Sequence, residues 1–197
     1  MSTRALPRNE KAIAVAQDVL AHLPEMMPTR RTYINGSIDA RDDADENKDD
    51  LQKYVDVATK ECEVCALGAC MLSYARLYDN VPMRDIAAFS GDGWDVSADR
   101  EEIVETMCEV FSGAQLALIE SAFERTAMGS IEASAHALCA AVDFGREHVN
   151  MVGLASPQDT NTAVLRGIME NIIANDGYFV PTSPTQGAKH DERTAPA

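Results

Sequence analysis

Cys62 and Cys65 form a C-x-x-C pair, the pattern in this sequence whose residue types and spacing most directly suggest chemistry. Such a pair can cycle between dithiol and disulfide or hold part of a zinc site, for which His136 and Cys139 offer two further ligands. A redox pair needs its first thiol at a helix N-terminus, whereas both thiols fall inside a predicted helix, on its apolar face. Free cysteine also behaves as a small buried hydrophobe. We therefore interpret the pair as packing, and we predict no metal and no other cofactor.

The sequence offers no catalytic motif. It contains no G-x-S-x-G, P-loop, G-x-G-x-x-G or H-E-x-x-H pattern. The histidines, which have no catalytic spacing, are His22, His136, His148 and His190. Asp92, Asp95 and Asp99 supply carboxylates, but nothing in the sequence marks them as buried. We therefore assign no catalytic residue, and we favour a binding protein over an enzyme.

An acidic run at 39–50, DARDDADENKDD, is the first candidate binding segment. It matches the first ligand positions of a calcium loop, but Lys48 stands where the turn glycine belongs and Tyr54 where the bidentate glutamate belongs. We therefore reject a calcium loop and predict a solvated loop that leads into a helix.

The loop predicted at 90–96 is the second candidate, because it is rich in glycine and contains the only tryptophan, Trp94. We expect Trp94 to be buried and to pin this loop, with an exposed interface anchor as the alternative. From the two segments and the Tyr33 region, the predicted binding residues are Tyr33, Arg41, Asp42, Asp45, Asp92, Trp94 and Asp95.

The elements that position these residues are predicted to be mostly helical. Apolar periodicity predicts helices at 10–22, 48–78, 83–89, 98–111, 114–125, 131–148 and 157–174. The predicted N-cap residues are Asn9, Ser97, Ser112 and Ser156. Asn35 and Gly36 favour a hairpin turn, and an extended piece at 178–180 is expected to pair near it. The fold class is mainly α, a compact bundle of about six or seven helices with at most a small β-hairpin.

The helix predicted at 48–78 is expected to be central and buried. Its apolar stripe is small in the middle, where Ala58, Cys62, Cys65 and Gly68 lie. Small side chains let a partner backbone approach closely, which would explain a glycine that costs a helix about 1 kcal/mol.

Composition limits the function classes further. The chain has 197 residues, 17 basic and 32 acidic, for a formal net charge of −15. Arg30 and Arg31 are the only basic doublet and are expected to form no patch, so direct binding to nucleic acid or to an anionic membrane is not predicted. Five cysteines, no apolar run long enough for a membrane span and no signal-peptide core indicate the cytoplasm. We predict a single helical domain at 1–180 and a disordered tail at 181–197.

Two short motifs resemble a known pattern. They are Tyr33-x-x-Gly36-x-x-Asp39-Ala40-Arg41-Asp42 and Cys65-Ala66-Leu67-Gly68-Ala69. Small uncharacterised phage-encoded proteins carry a similar aromatic-x-x-Gly…Ala-Arg-Asp stretch before a Cys-Ala-Leu-Gly-Ala helix. The resemblance covers residues 30–78, and 169–181 resembles the C-terminal part of some phage proteins. It implies a phage or prophage origin and no reaction, and it transfers no catalytic residue.

We therefore predict a phage-type accessory protein that acts in the host cytoplasm by binding, and that inhibits a host or defence protein through an acidic surface. The charge motivates this prediction, since an acidic surface can occupy a basic nucleic-acid groove. One alternative is a protein that binds or sequesters a nucleotide-like small molecule, with a pocket near Tyr33, Arg41 and Trp94. Another is a helical enzyme with a metal on the four cysteine and histidine residues named above. A homodimer through apolar helix faces is compatible with all three.

Overall fold

The computed structural model describes residues 7–39, 55–78, 86–90, 93–129, 131–152 and 156–182. The helices of this part of the chain are α1 (Arg8–His22), α2 (Val55–Glu61), α3 (Ala66–Tyr78), α4 (Arg100–Met107), α5 (Gly113–Glu124), α6 (Ala135–Val152) and α7 (Pro157–Ala174). The strands are β1 (Met27–Pro28), β2 (Ile34–Asp39), β3 (Glu63–Val64), β4 (Ala87–Ser90) and β5 (Gly93–Ala98).

The five strands form one mixed sheet in the order β1-β3-β2-β5-β4. β1 and β3 pair in parallel, and the other neighbours are antiparallel. Along the β2–β5 ladder, Ile34 lies opposite Ala98 and Ile38 lies opposite Trp94. All four of these side chains are buried. Because side chains alternate along a strand, this register turns one face of the sheet towards the helices.

α3 is the centre of the core. Every residue from Ala66 to Ala75 is buried, and the helix contacts α1, α2, α4 and α5. Gly68 faces the backbone of Tyr33 so closely that a Cβ at this position would overlap the Tyr33 carbonyl oxygen. The predicted buried central helix is therefore confirmed for α3, although the close neighbour is backbone next to β2 rather than another helix.

The mainly α fold class is broadly confirmed, but a five-stranded sheet is more than the predicted small hairpin. Gly36 illustrates the difference, because it lies in the middle of β2 and not in a turn. A Cβ at Gly36 would lie 2.8 Å from the Cα of Cys62, so glycine is required there by close packing. The predicted turn at Asn35 and Gly36 is wrong.

The single helix predicted at 48–78 is also wrong. In the described part of that range, helix α2 ends at Glu61, β3 follows at Glu63–Val64, and α3 begins at Ala66. The interruption is stabilised from outside the segment. Thr29 donates its N–H to the Val64 carbonyl oxygen over 2.8 Å, in line with the pairing of β3 between β1 and β2. Residues 48–54 lie outside the described ranges.

The helix predicted at 83–89 and the loop predicted at 90–96 are wrong for the described residues of these ranges, because β4 and β5 form a hairpin there. Residues 83–85, 91 and 92 are outside the described ranges. Ser97 belongs to β5, and the N-cap of α4 is Asp99, which forms a capping box with Glu102. A carboxylate next to the positive helix end stabilises this start.

The starts of two later helices follow the prediction. The Ser112 hydroxyl caps α5, and Ser156 with Asp159 forms the capping box of α7. Asn9 is different, because α1 begins at Arg8 behind Pro7 and has no side-chain cap. None of the described helices combines the length and apolarity that crossing a membrane requires.

The segment after α7 does not take the predicted place beside the Tyr33 region. Phe179 and Val180 bond instead to the side chains of Gln115 and Asn171, on α5 and α7. The predicted tail lies outside the described ranges beyond residue 182, and the domain boundary at 180 stays a prediction.

Candidate ligand-binding cleft

A cleft of about 330 Å³ opens beside the start of α3, between the segment that joins β1 to β2 and the end of α5. This volume lies within the range of small-molecule sites. The cleft, called the Tyr33 cleft below, is lined by Arg30, Arg31, Thr32, Tyr33, Cys65, Glu124, Thr126 and Met128.

Glu124, the last residue of α5, holds the arginine side of the cleft. Its two carboxylate oxygens accept the backbone N–H of Arg31 at 3.0 and 3.2 Å, and its carbonyl oxygen accepts a hydrogen bond from Nη2 of Arg30. Arg31 has a left-handed backbone with φ of 66°. That conformation costs energy in a residue with a Cβ and persists where the surroundings fix it. The Glu124 bonds therefore fix the turn that places both arginines at the cleft.

Tyr33 is fixed by a buried carboxylate. Its hydroxyl donates a hydrogen bond to Glu120, whose side chain is 1% exposed. Nε of Arg100 lies 3.1 and 3.0 Å from the two Glu120 oxygens, so the buried charge is paired. Burial, followed by the hydrogen bond to Glu120, raises the pKa of Tyr33 above its usual range. Tyr33 therefore stays protonated at neutral pH and lines the cleft with an immobilised ring.

Cys65 lies directly before α3, with its backbone N–H donating to the Tyr33 carbonyl oxygen over 3.1 Å. Complete burial raises the pKa of the Cys65 thiol to about 12, even though hydrogen bonds from the backbone of Gly68 and Leu67 favour the thiolate. The thiol is therefore protonated at neutral pH. It is an uncharged part of the cleft wall and not an activated nucleophile.

Among the described residues, the surroundings of the cleft carry an excess of positive charge, in a chain whose net charge is −15. Arg30, Arg31 and Arg100 stand against the carboxylates of Glu120 and Glu124. A further arginine, Arg125, is near enough that the Arg30 charge, after burial, lowers its pKa. The arginine doublet, which we expected to form no patch, is therefore part of a cationic cluster.

Two guanidinium groups in this cluster have unused bonding capacity. The side chain of Arg31 forms no ion pair with a described residue, and Arg31 is exposed. Nε of Arg30 is buried without a hydrogen-bond partner among the described residues, and it lies 3.7 Å from a Glu124 oxygen. The exposed Arg31 guanidinium can therefore bind an anion from solvent, and Arg30 lies beside it.

Of the predicted binding residues, Tyr33 lines the cleft. Trp94 is 1% exposed, which agrees with the expectation that it is buried and corrects its place in the binding set, because it offers no surface to a partner. Asp95 is exposed on β5 and does not line the cleft. Residues outside the described ranges are Arg41, Asp42, Asp45 and Asp92.

The four residues considered for zinc do not form a metal site. His136 and Cys139 are exposed on α6, whereas Cys62 and Cys65 are buried. Among the described residues, no group of three or more histidine, cysteine, aspartate or glutamate side chains is arranged to hold a metal ion. Burial raises the pKa of Cys62 to about 11, in keeping with packing.

The sequence prediction missed the residues that surround Tyr33. Glu120 had a usable signal, because it is one acidic residue inside the apolar run of α5, where a charge requires a partner. Arg100 and Glu124 had no such signal, because their contacts with Glu120 and with the Arg31 backbone join residues far apart in the chain.

Comparison of the chain with protein-family models, with curated proteins and with solved structures finds no match in any of the three. The resemblance to phage-encoded proteins stays a prediction. The interpretation of function therefore depends on the cleft.

Proposed function

We propose that the protein binds a small organic anion in the Tyr33 cleft and holds it without converting it. The observation that carries this proposal is the guanidinium of Arg31, which is exposed beside Arg30 and forms no ion pair with a described residue. In a chain with a net charge of −15, a cationic cleft is the feature that favours an anion locally.

The polar groups of the cleft support binding rather than catalysis. General acid–base catalysis needs a group that can take or give a proton near neutral pH. Burial raises the pKa of the Cys65 thiol to about 12, and the Tyr33 hydroxyl donates a hydrogen bond to Glu120. The Glu124 carboxylate accepts a hydrogen bond from the Arg31 backbone N–H, and the Glu120 carboxylate pairs with Arg100. These groups position one another and leave no evident base or nucleophile.

The test is isothermal titration calorimetry at low ionic strength, with inorganic phosphate, citrate and adenosine 5′-monophosphate as probes. We expect at least one probe to bind, and Arg31→Gln to weaken it by about ten- to a hundredfold, the range of a charge-assisted hydrogen bond. Arg166→Gln is the matched control, because Arg166 is exposed on α7 and does not line the cleft. The proposal would be contradicted if no probe bound at millimolar concentration, or if both variants lost the same affinity for the probe.

As a second candidate we propose that the protein inhibits a host or defence protein through an acidic surface. Support comes from exposed acidic residues on β5 and around the start of α4, called the acidic surface below. They are Asp95, Asp99, Glu101, Glu102 and Glu105. Such a surface could face the basic groove of a nucleic-acid-binding partner.

The acidic surface is tested by pull-down from host lysate with a salt gradient, followed by competition with DNA for the retained protein. We expect elution by salt, displacement by DNA and loss of retention in the variant Glu101→Lys/Glu105→Lys. Glu170→Lys, an exposed acidic residue on α7, is the control. Retention that is insensitive to salt and to the paired substitution would exclude this surface.

A further inference from the structure

We infer that the anion is a phosphate monoester attached to a planar ring, the chemistry of a nucleoside 5′-monophosphate. The phosphate lies at Arg30 and Arg31, and the ring lies against Tyr33 and Met128. This inference rests on the proposed function and adds to it the class of ligand.

The arginine end of the cleft suits a phosphate better than a single carboxylate. A guanidinium presents a planar fork of donors that matches phosphate oxygens, and two neighbouring guanidinium groups can divide the terminal oxygens of a monoester between them. Nη2 of Arg30 is held by the Glu124 carbonyl oxygen, so the orientation of this guanidinium is set before the ligand arrives. Glu124 itself neutralises one positive charge and leaves the exposed Arg31 side chain for the ligand.

The other lining residues suit a ring. The Tyr33 ring cannot turn away from the cleft without breaking its bond to Glu120. Met128 is held through its backbone N–H, which donates to the Ser121 hydroxyl over 2.9 Å. Aromatic rings and thioether sulfur both form favourable contacts with a flat π system. Thr32 and Thr126 place hydroxyl groups in the same lining, where they can donate to or accept from the polar edge of a base.

A phosphate monoester on a planar ring could be a free mononucleotide or the phosphorylated end of a nucleic acid. The size of the cleft and the charge of the chain favour the mononucleotide. A volume of about 330 Å³ is at the small end of the range for ligand sites, which suits one small molecule better than a polymer. The terminal phosphate of a nucleic acid would bring a long polyanion against a chain whose net charge is −15. Repulsion of the polyanion therefore favours the free mononucleotide.

Calorimetry with the full chain tests the inference with adenosine 5′-monophosphate, ribose 5-phosphate, adenosine and a 5′-phosphorylated oligodeoxyadenylate. We expect the monophosphate to bind about tenfold or more tightly than ribose 5-phosphate, the increment of one base stacked on an aromatic side chain. Tyr33→Phe and Tyr33→Leu form the matched pair, because both remove the hydroxyl and only the leucine removes the ring. The preference should persist in Tyr33→Phe and disappear in Tyr33→Leu, with Met128→Ala as the second ring-side variant if Tyr33→Leu does not fold.

The outcomes separate the inference from the proposed function. Equal affinity for ribose 5-phosphate and the nucleotide would show that the cleft does not bind the ring, while leaving anion binding intact. Tighter binding of the oligonucleotide than of the mononucleotide would overturn the free nucleotide as the ligand. Absence of binding by every phosphate ester, by inorganic phosphate and by citrate would overturn the proposed function as well.

Discussion

The hydroxyl of Tyr33 donates a hydrogen bond to Glu120, a residue 87 positions further along the chain. Glu120 also pairs with Arg100, so one buried carboxylate joins the segment before β2 to α4 and α5. A buried charge that loses a partner is expensive, because the lost bond is not replaced by water. The wall of the cleft and the core of the protein are therefore stabilised by the same contact.

Tyr33→Phe should lower the free energy of unfolding by about 1–3 kcal/mol, the contribution of a hydrogen bond to a charged group. The measurement is urea denaturation at neutral pH. Tyr178→Phe removes the same hydroxyl from a side chain that is 55% exposed and should leave stability unchanged. Equal stability of the two variants would show that the Glu120 bond contributes nothing.

Gly68→Ala should destabilise the protein by about 1–3 kcal/mol or more, because the added Cβ would overlap the Tyr33 carbonyl oxygen and force backbone apart. This loss opposes the gain of about 1 kcal/mol that alanine brings to a helix. Gly129→Ala is the control, since a Cβ there has nothing within 4 Å. Denaturation curves that show Gly68→Ala as stable as the parent protein would contradict the close packing of α3 on the Tyr33 segment.

The parts of the fold that the sequence predicted are those determined by neighbouring residues. Ser156 and Asp159 identify the start of α7, because a capping box involves only residues three apart. Glu63 and Val64 are different, because their strand exists only through pairing with Met27, Pro28 and Ile34 from distant parts of the chain. No local pattern distinguishes that interruption from a continuous helix.

The strand β5 was missed although its sequence carried the pattern. Trp94, Val96 and Ala98 are buried, and Asp95 and Ser97 between them are exposed. This alternation is typical of a half-buried strand, but the glycines before it suggested a loop. The residues around the cleft show the same contrast. Tyr33 was predicted as a binding residue, whereas its partners come from helices that the sequence alone could not place beside it.

Phe179→Ala should cost about 3–5 kcal/mol, as for a phenylalanine removed from a core. Phe179 is 1% exposed and packs edge-on against Phe144 with ring centroids 5.1 Å apart. The Gln115 side chain bonds to both its N–H, at 2.6 Å, and its carbonyl oxygen, at 3.2 Å. Tyr178→Ala, one residue earlier and exposed, should cost little in the same denaturation assay. Similar losses in the two variants would show that the segment after α7 is not anchored through Phe179.

Buried thiols should make the protein lose stability at alkaline pH. Burial raises the pKa of Cys65 from 9.0 to about 12, so the folded state keeps a proton that the unfolded chain releases. The stability from this thiol is full below about pH 9 and is lost as pH rises from there towards 12, at about 1.4 kcal/mol per pH unit. Denaturation under reducing conditions at several pH values should show that the stability of Cys65→Ala declines less steeply with pH. Part of the decline should remain, because the pKa values of the partly buried Tyr33 and the buried Cys70 are also raised. Cys139→Ala removes an exposed thiol, and its stability should fall with pH as that of the parent protein does. If the stability of Cys65→Ala fell equally, folding would not hold the proton on Cys65.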